Sequence, residues 1–442
     1  INGYSYFGQR SLIMNTMIIN KEKKWYEEGM NRIDPDLYKR YMIYLYDLEK
    51  YSIENHPFLD ELSKSLSFTP FSPEKALFVK GKLELGENVR RLEIDITDVC
   101  NFKCPGCTFQ FSQMDKQLPF EKLDSFIQEL KEAGYTSITL AGGGEPSIYN
   151  YNGKRLPDVT ERFLENGIDT FVITNAFALG SQDDVRRLLL STKGIRISYY
   201  NFVAPGEPEN KNDIVSDNVR LLLRTKELMN IDTEIIVGNL VSWNSKRDYE
   251  FTIELAKRYR TIITPRPMIS INRDAKKAVK GENLNKVLNR VLENYMGIKE
   301  QIDSLYSPVA AREFLERILA FHLPLPKRCI VTELGLVGKM RANGDLYRCG
   351  QLSARSGEIE KKYPNVDKTT FYNSIDDSTD YLKSHIDGKK GLVSYNMCPV
   401  CRETINNIRF SKFHEIPSEL RNPILQEVNQ AFSHNKNLAG FW

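Results

Sequence analysis

The stretch RLEIDITDVCNFKCPGC, residues 91–107, decides the fold and most of the chemistry of this 442-residue chain. It opens with a short β-rich run, Arg91–Asp95, and three cysteines follow directly at Cys100, Cys104 and Cys107. Three thiols spaced Cys-X3-Cys-X2-Cys on a loop can converge on one iron–sulfur cluster, because a turn can wrap a cluster and a strand cannot. Zinc also binds thiolates, but a structural zinc site normally has four ligands and no local fourth ligand is near. A 4Fe-4S cluster held this way keeps one iron open for a bidentate small molecule.

Downstream of this stretch, β-rich runs alternate with amphipathic helical stretches. The predicted strands are Arg91–Asp95, Ser137–Leu140, Thr170–Thr174, Arg196–Tyr200, Glu234–Leu240 and Thr261–Met268. The predicted helices are Phe120–Ala133, Leu156–Asn166, Asp183–Leu190, Asp213–Met229 and Tyr249–Arg258. Six strands that alternate with helices favour an α/β fold with a parallel sheet and helices outside it. A partial (β/α)6 barrel fits best, although periodicity alone also allows an open doubly wound sheet.

The remaining sequence divides by composition. The predicted units are a helical N-terminal extension in 1–90, the α/β unit in 91–280, linking helices in 281–325, a small cysteine-bearing module in 326–410 and a helical tail in 411–442. Within the module, the pair Asn343-Gly344 predicts a β-hairpin with a type I′ turn.

Composition limits the function classes. A chain of 442 residues with 41% hydrophobic residues can bury one large core plus a smaller module. The net charge of +3 is too small to indicate a nucleic-acid or membrane partner. No apolar stretch reaches the ~18 residues of a membrane span, and the first thirty residues lack a secretory layout, so we expect a cytoplasmic protein. Seven cysteines in such a chain indicate metal binding or redox chemistry more than disulfides.

A glycine run follows the second predicted strand, in the stretch Ala141-Gly142-Gly143-Gly144-Glu145-Pro146. Glycines let the backbone approach a ligand closely, and ligands of α/β sheets bind at the carboxyl ends of strands. A tight turn is the alternative explanation of the run. Asn175 and Ser198 are polar residues at the next two strands, and Gly238 lies in the fifth. Such residues also occur as structural strand caps and bulges.

Together, the cysteine triad and the glycine run resemble the motifs of the radical S-adenosylmethionine (SAM) superfamily. The resemblance implies that the three cysteines hold a 4Fe-4S cluster and that the methionine amino group of SAM is bound by Gly142, Gly143, Gly144 and Glu145. It also implies that Asn175 and Ser198 contact the ribose or carboxylate of SAM and that Gly238 leaves room for adenine. The family usually has an aromatic residue before the third cysteine. Gly106 stands there in this chain, and Phe102 or Phe109 is the candidate replacement.

Four further cysteines lie in the C-terminal module, at Cys329, Cys349, Cys398 and Cys401. The first two are spaced Cys-X14-Gly-X4-Cys, and four thiolates can hold a second cluster without other ligands. Two pairs of cysteines are also a zinc pattern. The module resembles the SPASM domain and its shorter relative, the twitch domain. A full SPASM domain has seven cysteines, so the resemblance implies a twitch-like module with one auxiliary 4Fe-4S cluster.

The resemblance implies that the reduced cluster cleaves SAM and that the 5′-deoxyadenosyl radical abstracts a substrate hydrogen. An external one-electron reductant such as flavodoxin or ferredoxin would supply the electron. Three functions stay open. The first is oxidation, deoxygenation or epimerisation of a small molecule (a sugar, aminocyclitol or nucleoside), which the twitch resemblance favours. The second is crosslinking or epimerisation of a ribosomally made peptide. The third is a non-catalytic metal or RNA-binding protein that uses basic stretches such as Lys276–Lys280.

Overall fold

The computed structural model describes residues 92–104, 107, 109, 115–199, 210–241, 250–259, 261–267, 338–347, 350 and 368–370. Its strands are β1 (Leu92–Ile94), β2 (Ser137–Leu140), β3 (Asn150–Tyr151), β4 (Lys154–Arg155), β5 (Asp169–Thr174), β6 (Gly194–Tyr199), β7 (Glu234–Val241), β8 (Ile262–Pro267), β9 (Gly338–Met340), β10 (Asp345–Tyr347) and β11 (Lys368–Thr370). Its α-helices are α1 (Leu123–Glu132), α2 (Leu156–Glu165), α3 (Gln182–Ser191), α4 (Lys211–Met229) and α5 (Glu250–Tyr259). All six predicted strands and all five predicted helices are present, with ends shifted by a few residues at most.

Strands β1, β2, β5, β6, β7 and β8 lie side by side in chain order, and each pair is parallel. The helices contact one another in the same order, from α1 on α2 to α4 on α5. Right-handed crossovers that always step in one direction place their helices on one face of the sheet. A doubly wound sheet instead reverses its strand order at a switch point. The α/β class is confirmed, and the described strands have a singly wound order.

Local sequence signals explain the helix boundaries. The Ser181 hydroxyl accepts a hydrogen bond from Asp184 N at 3.3 Å and caps α3. The Asp158 carboxylate accepts from Arg155 N at 2.7 Å at the start of α2. Helix α4 ends at Met229, and the left-handed φ of 49° at the next residue, Asn230, stops the helix. These caps satisfy backbone groups that a helix terminus leaves without intrahelical partners.

The two faces of the sheet differ in chemistry. Alternate strand residues on the helix-covered face form one buried hydrophobic cluster, which includes Leu92, Ile94, Ile138, Leu140, Val172, Ile195, Ile197, Ile235 and Val237. The intervening residues point to the other face, because successive side chains of a strand alternate. That face carries Glu93 in register with Thr139 of β2 and with Lys339 of β9. It also carries the half-buried Arg196 and Ser198 of β6. One face therefore supports the fold, and the other presents polar groups.

Strand β9 pairs in parallel with β1, and β10 and β11 continue antiparallel beyond it. The predicted hairpin at Asn343-Gly344 is confirmed, but the predicted type I′ turn is wrong. Gly344 has φ of 86° and Asn343 has no positive φ, whereas a type I′ turn needs both. Gly344 N donates to Arg341 O and Arg341 N donates to Asp345 O, each at 2.8 Å. This is a three-residue loop in which a type I turn is followed by a left-handed glycine bulge.

Several predictions lie outside the described residues. They concern the helical segments 1–90, 281–325 and 411–442 and the second set of cysteines, Cys329, Cys349, Cys398 and Cys401. In the part of the chain that the structure describes, none of the helices has the length and apolar character needed to cross a membrane.

Candidate functional site

The three-cysteine loop leaves the carboxyl end of β1. Backbone hydrogen bonds hold its start: Asp95 N donates to Met340 O at 2.9 Å, and Asp98 N donates to Lys116 O at 2.8 Å. Cys100, Cys104 and Cys107 follow, and all three are half-buried. Phe102 N donates to Cys100 Sγ at 3.4 Å, and Cys107 N donates to Cys104 O at 3.1 Å. The cysteines thus follow the first strand, at the edge of the sheet where ligands of α/β proteins bind.

The glycine run packs directly against this cysteine loop. Glu145 N donates to Val99 O at 2.8 Å, one residue before Cys100. A Cβ atom on Gly144 would collide with the Val99 carbonyl group. A Cβ atom on Gly143 would collide with the Asp98 carboxylate and lie 2.9 Å from Asp95 Oδ2. The absence of side chains therefore serves the close approach of two loops of the same chain.

Glu145 joins the ends of β2 and β5 through its buried carboxylate. Oε1 accepts from Ser147 N at 2.9 Å and from the Thr174 hydroxyl, and Oε2 accepts from Asn175 N at 2.7 Å. Burial raises the pKa of Glu145, and these donors oppose that rise because they favour the ionised form. Both carboxylate oxygens are engaged by the protein itself. The role of this residue in SAM binding stays a prediction.

The other predicted SAM contacts lie on neighbouring strands. Asn175 is buried, and its Nδ2 donates to Asn101 Oδ1 at 3.0 Å, which links the end of β5 to the cysteine loop. Ser198 and Gly238 are register partners on β6 and β7. The structure therefore brings Asn175 to the cysteine and glycine loops and places Ser198 and Gly238 side by side on the polar face. Their contacts with SAM stay predictions.

A buried charge cluster connects β9 to β1 beneath the cysteine loop, and no motif in the sequence predicted it. Lys339 Nζ pairs with Glu93 and lies 2.9 Å from Asp95 Oδ1. Arg341 Nη2 lies 2.9 Å from Asp98 Oδ1. The side chains of Lys339, Arg341, Asp95 and Asp98 are at most 1% exposed. The only sequence signal is that charged residues alternate with apolar ones in both strands, which places them on one face.

The ionisation of this cluster follows from burial and pairing. Burial raises the pKa of Asp95 to about 7, and the nearby Lys339 ammonium opposes the rise. Burial also raises the pKa of Asp98, against the opposing Arg341 guanidinium. Burial acts to lower the pKa of Lys339, but the carboxylates of Asp95 and Glu93 outweigh it and hold that pKa above its ordinary value. Lys339 is therefore a buried cation, and the carboxylates around it compensate its charge.

Phe102 and Phe109, the aromatic residues described in the cysteine loop, each contact a buried lysine. Lys211 Nζ lies 3.6 Å from the ring centroid of Phe102, and the ring of Phe177 meets Phe102 edge-on at 5.5 Å. Lys339 Nζ lies 4.0 Å from the ring centroid of Phe109. Phe102 is only 6% exposed, so protein encloses its ring. Its role as the replacement for the aromatic residue that the family usually has before the third cysteine stays a prediction.

The donor set fits an iron–sulfur cluster. Three half-buried thiols occupy one loop, and a glycine loop without side chains lies against it. Among the described residues, no group of three or more His, Cys, Asp or Glu side chains is arranged to hold a metal ion. A 4Fe-4S cubane places each thiolate on a different iron and spreads its ligands more widely than a single ion does. The thiols would hold the cluster, and the glycine loop lies against the loop that carries them.

Comparisons with known proteins identify the class of this domain. Residues 94–200 match the family model of the radical SAM superfamily. A GTP 3′,8-cyclase of Campylobacter lari is 27% identical over 227 residues, which are 48% of this chain and 65% of that protein. The chain therefore spans less than two thirds of the length of this relative.

Two solved structures are also similar. SuiB of Streptococcus suis, bound to the precursor peptide SuiA, has a TM-score of 0.47 at 14% identity, over 71% of this chain and 69% of its own. Native anSMEcpe with bound AdoMet and Kp18Cys peptide has a TM-score of 0.43 at 14% identity, over 77% of this chain and 99% of its own. The family match covers the strands and loops that carry the cysteine triad and the glycine run. Residues 94–200 of this chain therefore match the radical SAM superfamily, and this match indicates that the chain is an enzyme.

Proposed function

We propose that this enzyme reductively cleaves SAM and uses the resulting radical to remove a hydrogen atom from its substrate. The observation that carries the proposal is the contact between the three-cysteine loop and the glycine loop, made by Glu145 N and Val99 O at 2.8 Å. This contact supports the proposal because it joins the loop whose thiols would hold a 4Fe-4S cluster to a glycine backbone that would admit a small ligand. When bound, the cluster and SAM supply the one-electron chemistry, and the protein supplies position and exclusion of water.

In this proposal, each candidate site residue has a distinct role. Cys100, Cys104 and Cys107 hold the cluster. The backbone of Gly142, Gly143 and Gly144 receives the methionine end of SAM, with Glu145 fixing the loop through its hydrogen bonds to β5. The nucleoside part of SAM then lies along Asn175, Ser198 and Gly238. The six parallel strands would curve into a partial barrel, whose inner surface would be the polar face of the sheet.

For the substrate, we favour a small molecule, with a nucleoside or nucleotide as the leading class. The related cyclase from Campylobacter lari is named for a nucleotide, GTP. On the polar face, Arg196 is half-buried and lies two residues before Ser198, and a guanidinium there can pair with a phosphate or carboxylate. An auxiliary cluster on Cys329, Cys349, Cys398 and Cys401 would accept an electron from the substrate radical, which suits a net oxidation.

The experiment measures 5′-deoxyadenosine formed by the anaerobically reconstituted, reduced protein with SAM. The wild type should produce it, and Cys104→Ala should not, because the cluster would lose one of three protein ligands. Lys103→Ala is the matched control, since Lys103 is the exposed neighbour in the same loop and should retain production. Unchanged production by Cys104→Ala, or stoichiometric zinc in place of iron in the wild type, would contradict the proposal.

A further inference from the structure

We propose that Lys211 and Lys339 are positioning residues of the cluster site. Their ammonium groups hold the cysteine loop through the rings of Phe102 and Phe109, and they place two buried positive charges beside it. We name this pair of contacts the lysine clasp. The inference rests on the proposed function, because its purpose is to fix and polarise a loop that holds a cluster.

The first contact reaches the loop from α4. Lys211 opens this helix and is completely buried, and its Nζ lies 3.6 Å from the centroid of Phe102. A lysine is an unfavourable choice at this position, because the N-terminus of a helix already carries partial positive charge and burial penalises the ammonium group. The face of an aromatic ring attracts a cation, most strongly when both are removed from water. The contact with the loop therefore gives a reason for a residue that the helix itself disfavours.

The second contact reaches the loop from β9. Lys339 is completely buried, and its Nζ lies 4.0 Å from the centroid of Phe109. The same ammonium group pairs with Glu93 and with Asp95 of the chain entering the loop. One cation thus connects the segment before the cysteines with an aromatic residue after them. This arrangement fixes the two ends of the loop relative to each other.

The positions of the rings point to the loop rather than to general packing. Phe102 lies between the first and second cysteines, and Phe109 lies two residues after the third. The lysines come from separate parts of the chain and converge on one loop. A cubane with three thiolate ligands is an anion and gains a further negative charge on reduction. Nearby buried cations stabilise the reduced state, and charge around a cluster is one determinant of its potential.

The experiment compares reconstituted full-length variants. Lys211→Met removes one ammonium group and keeps the stem. The double variant Asp95→Asn with Lys339→Met removes the ammonium group of Lys339. The Asp95→Asn change is included so that no charged carboxylate is left at position 95 without its lysine partner. Lys154→Met is the matched control, because Lys154 is exposed and its Nζ lies 5.3 Å from the Phe120 ring, away from the cysteines. Lys211→Arg is the conservative rescue, since arginine also binds aromatic faces.

Two readouts separate positioning from mere stability. Iron release to a chelator should accelerate roughly tenfold in Lys211→Met and in the double variant, the change expected for loss of a desolvated cation–π contact. The midpoint potential of the cluster should fall in Lys211→Met and stay at the wild-type value in Lys211→Arg and Lys154→Met. The double variant removes an ammonium group together with a carboxylate, so iron release is its readout. Phe102→Leu should release iron as Lys211→Met does, and combining the two should add little, because both remove one contact. If Lys211→Met does not fold, Phe102→Leu carries this test.

Hydrogen exchange of the cluster-free protein gives an independent test. Peptides covering residues 98–110 should exchange faster in Lys211→Met and the double variant, and at the wild-type rate in Lys154→Met. If the lysine variants match Lys154→Met in exchange, iron release and potential, the lysine clasp is refuted. If the wild type takes up no iron, the proposed function fails instead, and the exchange measurement still decides whether the clasp holds the loop.

Discussion

The two faces of β1 are built from different chemistry. On one face, Leu92 and Ile94 join the hydrophobic cluster under the helices. On the other face, Glu93 and Asp95 meet Lys339, whose strand comes from about 245 residues further along the chain. The apolar face is stabilised because its side chains are removed from water. This stabilisation is non-directional, so it tolerates small shifts of the side chains. The charged face depends on every buried charge keeping its partner, so it is the more sensitive of the two.

This difference indicates which face of β1 determines the conformation of the cysteine loop. The chain continues from β1 into Asp98, which pairs with Arg341, and then into Cys100 two residues later. The charged face therefore leads directly into the candidate site, whereas the apolar face leads into the helix layer. We expect changes on the apolar face to lower stability alone. Changes on the charged face should lower stability and also disturb the cysteine loop.

The largest effect is expected for Lys339→Met as a single change. It leaves Asp95 buried next to a hydrophobic side chain, and breaking a buried pair in this way costs about 3–5 kcal/mol. Urea unfolding of the cluster-free protein, followed by circular dichroism, measures the loss. Adding Asp95→Asn should recover part of it. Equal stability of the single and double variants would show that the charge pair does not govern this face.

Ile94→Ala tests the apolar face at the adjacent residue. The side chain is completely buried in the hydrophobic cluster. Its truncation should lower the free energy of unfolding by about 2–5 kcal/mol, through lost burial and a residual cavity. At a temperature where the variant is folded, its cluster should show the wild-type midpoint potential. A shifted potential in Ile94→Ala would remove the distinction between the two faces.

A smaller effect is expected where the glycine loop meets the cysteine loop. Gly144→Ala forces a methyl group against the Val99 carbonyl, and the backbone must move. We expect a loss of about 1–3 kcal/mol from overpacking, together with weaker SAM binding in an equilibrium dialysis assay. Gly180→Ala is the matched control, because its Cβ would lie 3.9 Å from the nearest side-chain atom, Asn218 Oδ1. Unimpaired SAM binding by Gly144→Ala would separate the glycine run from SAM.

Local patterns in the sequence predicted the strands, the helices and the presence of the hairpin. The β-rich runs and amphipathic stretches gave the six parallel strands and five helices, because alternation and helical periodicity act over a few residues. The Asn343-Gly344 pair predicted a hairpin, but its loop is one residue longer than the predicted turn, with only Gly344 at positive φ. The dipeptide identifies a turn, and the register of the flanking strands selects its type.

Contacts between distant segments could not be predicted from one sequence. Nothing near Lys339 in the sequence indicates that its strand pairs with β1, and nothing near Lys211 indicates that it lies over Phe102. A lysine in a helical pattern ordinarily predicts a solvated face. The glycine run was predicted to approach a ligand closely. In the structure it lies against the cysteine loop, and its contact with SAM stays a prediction. In each case the missing information is which segment folds against which.

The central claim is tested most directly by electron paramagnetic resonance of the dithionite-reduced, reconstituted protein with and without SAM. We expect a 4Fe-4S signal with a component that changes when SAM is added, and loss of that component in Cys104→Ala. This follows because the three cysteines leave one iron for SAM to coordinate. A reduced iron–sulfur signal that SAM leaves unchanged in the wild type, or no iron–sulfur signal at all, would contradict a SAM-binding cluster on these three cysteines.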